Sequence, residues 1–169
     1  MNKTIDFTLL SSSKSTSNSK QTPSLGLGVG EQRQIIQSMY LGQAMPAQQQ
    51  GYTEAFTKFQ KDIKHKIQGY KQQDIKKKRY AADSFITFDQ CLELLVGSKL
   101  TCYYCRGECL IDYDTQRQSN QWTLERLNND QQHQVDNVVI ACLKCNLGRR
   151  CQSSDGYRFT KTMVIQKIE

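Results

Sequence analysis

Two Cys-x-x-Cys pairs, Cys102 with Cys105 and Cys142 with Cys145, are the side chains of this sequence best suited to chemistry. A two-residue spacer lets one tight turn present two sulfurs to one ion, and zinc accepts four thiolates in a tetrahedron. Four protein sulfurs leave no position open to water, so a zinc held this way is structural. Gly107 stands where the first turn needs a relaxed backbone. Between and after the pairs runs the stretch Trp122 to Arg150, WTLERLNNDQQHQVDNVVIACLKCNLGRR. It holds the charged pair Glu125–Arg126, a lone His133, Asn137 just before an apolar run, and a basic segment after the second cysteine pair. An imidazole titrates in the range a general base requires, although a solvated loop histidine is an equal reading. Glu125 is open to an ion pair with Arg126 or Arg150, and Asn137 to a turn after Asp136. Cys91 falls on an apolar helical face and reads as a small core residue. Cys109 and Cys151 are left as free thiols, Cys109 with the option of competing with Cys105 as a ligand.

The elements that must position these residues are few. The chain has 169 residues, room for one modest domain with tails. Its 37% hydrophobic content is low enough to predict that part of it is unpacked. A net charge of +7 favours a polyanionic partner, nucleic acid first. No apolar run is long enough for a membrane span, and the start, MNKTIDFTLLSSSK, does not read as a secretory signal. Seven cysteines in such a chain point to a reducing, intracellular compartment and to metal ligation over disulfides.

Residues 1–52 are rich in Ser, Gly and Gln and are expected to be a disordered leader, with EQRQIIQSMYL as a local helix or docking peptide. GLGVG lacks the flanking strand and Lys-Ser/Thr of a phosphate loop. Residues 53–98 are expected to form basic amphipathic helices. Phe56, Phe59, Ile63, Ile67 and Tyr70 recur at helical spacing through residue 80, and Thr87 caps a second helix that Gly97 ends. From Lys61 to Arg79, eight Lys or Arg stand against Asp62 and Asp74, a sign bias that fits phosphate contact. Residues 122–127 and 138–141 read as strands, a helix begins near Cys145, and residues 157–168 read as a further strand.

Taken together, residues 99 to 151 resemble the HNH endonucleases of the His-Me finger (ββα-metal) superfamily. The likeness is greatest to the zinc-containing branch similar to phage endonuclease VII and to HNH-like proteins of large DNA viruses. Their line W-(S/T)-(L/V)-(D/E)-R-(I/L)-(D/N)-N…(H/Y)-x-x-x-N-V-V…C-x-x-C-N is matched from Trp122 to Asn146. The resemblance implies an α+β fold: a small zinc-stapled treble-clef ββα-metal domain at 99–152, preceded by the basic helical arm and the leader and followed by a tail at 153–169. It implies cleavage of DNA phosphodiester bonds with Mg²⁺ or Mn²⁺ held by Glu125 and Asn137, and with Asn146 supporting the helix cap and the site. Carboxylate and amide oxygens are the hard ligands such an ion takes. Lys64, Lys71, Lys76, Lys77, Lys78, Arg79, Lys144, Arg149 and Arg150 would hold the backbone of DNA without reading sequence. Arg126 fits that line but departs from the standard HNH motif, which has at this position the His that activates water, and arginine accepts no proton at neutral pH. His133 is then the substitute base, ahead of His65, and Arg126 a phosphate clamp. An inactive DNA-binding module, or a virion or packaging protein, is the alternative.

Overall fold

Both cysteine pairs are anchored by one antiparallel hairpin and the helix that leaves it, within a computed structural model that describes residues 20–43 and 50–163. Strand β1 is Trp122–Arg126 and strand β2 is Val138–Cys142. They pair antiparallel from Trp122 opposite Cys142 to Arg126 opposite Val138. Helix α4, Leu143–Arg149, starts directly from the end of β2. Alternation then sorts the side chains of β1: Trp122 and Leu124 enter the core, while Thr123 and Glu125 share the opposite face.

Three helices cover this unit. Helix α2, Gln50–Lys76, buries Ala55, Phe59 and Ile63 along one stripe. Helix α3, Phe88–Gly97, begins as the sequence predicts: Thr87 Oγ1 accepts from Gln90 N at 3.2 Å and Gln90 Oε1 accepts from Thr87 N at 2.9 Å. Its buried side is Cys91, Leu92 and Leu95. Helix α1, Val29–Leu41, ends on Gly42 at φ 61°, a left-handed position that glycine takes at no steric cost. The architecture is therefore α+β, a helical layer on a small two-stranded sheet. Among the described residues no helix is long and apolar enough to cross a membrane.

Three expectations are corrected. The leader is not unpacked over residues 20–43. Helix α1 buries Gln32, Ile35, Ile36 and Met39 at i, i+3, i+4 and i+7 in the core shared with α2, α3 and the sheet. Complete burial of two Ile side chains contributes about 1.5–3 kcal/mol each, enough to hold a helix of this length. Polar latches add to it. Gln32 Nε2 donates to Leu27 O at 2.8 Å and Asp112 O at 3.2 Å, and its Oε1 accepts from the N–H groups of Ile111 and Asp112. Asp112 in turn accepts from Ser24 Oγ and Leu25 N and pairs with Lys58 at 2.9 Å. The expectations for residues 1–19 and 44–49 lie outside the described residues. Second, residues 154–162 are not a strand but helix α5, Ser154–Thr162, capped by Ser153. The alternation in the sequence there belongs to a helix with few apolar residues, and residues 164–168 lie outside the described ones. Third, α2 stops at Lys76, and Lys78 turns the chain at φ 55°.

Candidate metal centre and active-site groove

The ligand sulfurs of Cys102, Cys105, Cys142 and Cys145 all lie within 4.8 Å of one another. A tetrahedron of Zn–S bonds of about 2.3 Å sets its sulfurs about 3.8 Å apart. Cys105 Sγ and Cys142 Sγ stand at 3.9 Å, so the residues fit a tetrahedral metal ion. Local backbone makes this possible. Cys102 N donates to Gly107 O at 2.8 Å and Arg106 N to Cys102 O at 3.1 Å, closing the knuckle. The left-handed residue of that turn is Arg106, at φ 61°, and not Gly107; a Cβ on Gly107 would lie 3.4 Å from Cys105 Sγ. Tyr103 N bonds Ile140 O at 2.9 Å, which docks the knuckle on the outer edge of β2. Cys109 is buried next to the cluster, and the close thiols of Cys109 and Cys142 hold the Cys102 thiol well below the usual range. Cys109 is thus a neighbour of the cluster and does not replace Cys105 in it.

A second site lies on the face of β1 that carries Thr123 and Glu125. Helix α4 crosses this face with two residues one turn apart. Asn146 Nδ2 donates to Thr123 Oγ1 at 3.2 Å, and Arg149 Nε donates to Glu125 Oε1. The Thr123 hydroxyl spends its single proton on Ala141 O at 2.8 Å, so it must accept from Asn146. That fixes the amide with its nitrogen to Thr123 and leaves its oxygen free. Among the described residues neither Asn146 Oδ1 nor Glu125 Oε2 has a hydrogen-bond partner. Burial pushes the Glu125 carboxyl up, against the charge of Arg149. Arg149 also donates to Gln152 O, Arg126 O and Asn129 Oδ1 at 2.8, 2.7 and 2.6 Å. It would keep those acceptors if Glu125 turned an oxygen to a cation. Thr123, Glu125, Arg126, His133, Asn146, Arg149 and Arg150 all line one groove of about 710 Å³.

The loop between the strands sets the remaining residues. Asn137 is 3% exposed and fully engaged. Its Oδ1 accepts from Asn128 N at 2.9 Å, and its Nδ2 donates to Asn128 O and Gln132 O at 3.0 Å. The expected role of Asn137 as a metal ligand is corrected on this ground: its oxygen is spent on the loop, and it does not line the groove. Arg126 likewise turns into the loop, donating to Asn129 O and Gln131 O at 3.1 Å, with Asp74 Oδ1 at 3.7 Å. His133 is 3% exposed and bonded through Nδ1 to Asp74 Oδ2 at 2.8 Å. Burial pushes its pKa below the ordinary imidazole value, and Arg126 and Arg79 act in the same direction against Asp74.

The basic residues divide. Lys77, Arg79, Arg126, Arg149 and Arg150 line the groove, the last at φ 52° where it ends α4. Lys64, Lys76, Lys78 and Lys144 are exposed outside its lining, and Lys71 packs on the Tyr80 ring with Nζ 5.0 Å from its centroid. Arg149 is 2% exposed and committed to Glu125 and the loop, so the expected phosphate contact there is corrected to an internal ion pair. Lys66, part of the basic run, is withdrawn from solvent as well. It lies 4.6 Å over the Trp122 ring and donates to Trp122 O, and burial lowers its pKa to about 7. His65, the weaker candidate base, is exposed on α2 outside the groove.

Two functional-site residues escape a reading of the sequence, Asp74 and the ion-pair role of Arg149. Asp74 does carry a signal: with Ile63, Ile67 and Tyr70 it continues the 4-3-4 spacing of the apolar face of α2, where a solvated aspartate does not belong. Comparison of the chain with family models, with curated proteins and with solved structures finds no match.

Proposed function

We propose that this chain is a metal-dependent nucleic-acid phosphodiesterase of the HNH type, with zinc as the structural staple in the four-cysteine cluster. The observation that carries the reading is the meeting of Glu125, Asn146 and His133 in one groove rimmed by guanidinium groups. Glu125 Oε2 and Asn146 Oδ1 would hold Mg²⁺ or Mn²⁺, both being hard oxygen donors without a partner. Such an ion, when bound, neutralises charge on a phosphate and on the leaving oxygen. His133 is the base, and Lys77, Arg79 and Arg150 hold the phosphates on either side. DNA is the substrate that the HNH likeness favours, and cationic groups along the groove favour contact with its backbone over reading of its bases.

The test is nicking of supercoiled plasmid by the full chain with Mg²⁺ or Mn²⁺ and an EDTA control. Glu125→Gln keeps an acceptor for Arg149 and removes the charge an ion needs. It should abolish cleavage while zinc content and DNA affinity stay within about two-fold of wild type. Wild-type protein that binds DNA and never nicks it would move the reading to a catalytically silent DNA-binding module. The Glu125–Arg149 ion pair is the observation that favours that second reading.

A further inference from the structure

Asp74 and His133 are 59 residues apart in sequence and both nearly sealed, at 1% and 3% exposure. One carboxylate oxygen, Asp74 Oδ2, accepts twice from the same residue, from His133 N at 2.8 Å and from His133 Nδ1 at 2.8 Å. The double contact fixes both the backbone position and the ring rotation of His133. Tyr70, one turn earlier on α2, stacks on the imidazole with centroids 4.6 Å apart and planes at 32°. The other carboxylate oxygen, Oδ1, forms an ion pair with Arg126 Nη1 at 3.7 Å. A charged carboxylate only accepts, so Nδ1 carries the imidazole proton and Nε2 carries a lone pair. Among the described residues Nε2 has no hydrogen-bond partner, and His133 lines the groove with Glu125 and Asn146.

We propose that Asp74 is the positioning residue of this site: from α2 it locks His133 in the Nδ1–H tautomer and holds Nε2 in the groove as the proton acceptor. The catalytic consequence rests on the phosphodiesterase reading; the tautomer does not. In the step it serves, Nε2 takes a proton from water as the water oxygen forms a bond to phosphorus. The P–O ester bond breaks, its electron pair goes to the leaving sugar oxygen, and that oxygen takes a proton from solvent. The imidazolium later returns its proton to solvent. Asp74 stabilises the imidazolium and takes no proton itself. The charged or titratable groups facing the ring are Asp74 and Tyr70 on α2, Arg79 just beyond it, and Arg126 at the end of β1. With the base on the loop and Asp74 behind it, Arg126 can stand where the HNH pattern has its His.

The experiment has two arms on the full chain. In the first, ¹H–¹⁵N correlation of the imidazole nitrogens of wild-type protein at pH 7.5, without nucleic acid, reads the tautomer directly. A protonated Nδ1 is expected, and a protonated Nε2 overturns the proposal whatever the activity. In the second, Asp74→Asn is assayed for plasmid cleavage across pH. We expect kcat to fall about 10- to 1,000-fold with KM and DNA affinity unchanged. The acid limb of the profile should move to lower pH, because removing Asp74 removes what raises the imidazole pKa. An unchanged kcat and limb overturn the proposal. If this variant does not fold, titration of His133 in the wild type decides: an imidazole that titrates as a free, solvated one overturns it. A correct tautomer in a protein that never cleaves DNA retires the phosphodiesterase reading and leaves the positioning role standing.

Discussion

Replacing Asn137 by aspartate separates the two roles an asparagine can have at this position. As a loop latch, Asn137 uses its oxygen on Asn128 N and its nitrogen on Asn128 O and Gln132 O. An aspartate side chain could keep the first bond, but it would set a carboxylate oxygen against two carbonyl oxygens. Gln132 O retains a second donor in Gln134 N at 3.0 Å, and the Asn128 groups can turn to water, so the orphaning is partial. Two lost bonds at about 1 kcal/mol each, plus an unpaired buried charge, give a loss of about 3–4 kcal/mol. For a chain of this size that lowers Tm by roughly 6–15 °C. Asn137→Ala, which loses the bonds without adding charge, should cost about 2–3 kcal/mol. Thermal unfolding followed by circular dichroism, with and without Mg²⁺, measures all of this. A metal ligand behaves the opposite way: a carboxylate would bind a hard cation more strongly than an amide, and Mg²⁺ would raise the Tm of the variant. A variant that melts within about 2 °C of wild type and is further stabilised by Mg²⁺ would refute the latch.

Two further outcomes follow from the same geometry. Cys142→Ser, or chelation of the metal from wild-type protein, should detach β2 from the knuckle and unfold the sheet region cooperatively; elemental analysis of wild type should give one zinc per chain, and a folded zinc-free protein contradicts the staple. Acid should loosen the N-terminal segment first. Burial works against charge on Asp112, but Lys58, Ser24 and the Leu25 N–H outweigh it and hold the carboxyl below the ordinary range. A folded pKa below the unfolded value of about 3.9 means a contribution present above that value and lost as pH falls through the folded one. Hydrogen exchange at Leu25 N–H should therefore accelerate below about pH 4, ahead of exchange in β1, and protection that survives there would count against the latch.

The parts of this molecule that are legible in sequence are those fixed by short-range rules. Thr87 is the N-cap of a helix, the Val138–Ala141 run is an apolar strand, and the Cys-x-x-Cys spacings foretell sulfurs that converge. What escapes is long-range and polar. Nothing near Gln32 announces that its amide will meet Ile111 and Asp112, some 80 residues away, and polar composition around it reads as disorder. Glu125 is open in sequence to pairing with a neighbour, yet its partner is Arg149, chosen by the angle at which α4 crosses β1. Asn137 reads as a ligand through the HNH likeness, and only the loop geometry shows that its oxygen is engaged with Asn128 N. Even the basic run is misread by counting charge, since Lys66 and Asp74 face inward.

That inward stripe ties the arm to the sheet. A two-stranded sheet exposes backbone donors and acceptors on both edges, and an uncovered edge costs stability and invites aggregation. Tyr103 of the knuckle covers the β2 edge at Ile140 O. On the β1 edge Trp122 N donates to the backbone of Leu110 at 2.9 Å, and side chains from α2 at four-residue spacing meet the strand and the loop after it. Lys66 donates to Trp122 O, Tyr70 Oη accepts from Leu124 N at 3.0 Å, and Asp74 accepts from His133. Lys66 and Tyr70, one turn apart on the helix, thus meet two alternate residues of β1, and Asp74 a turn further on meets the loop that follows the strand. The spacing works because four helical residues rise about 6.0 Å and two strand residues rise about 6.8 Å, close enough for long flexible side chains to make up the difference. A boundary near residue 99 cuts through this arrangement. The element that looks from its charge like a solvated arm supplies β1 with two of its edge partners and the groove with the carboxylate behind its histidine.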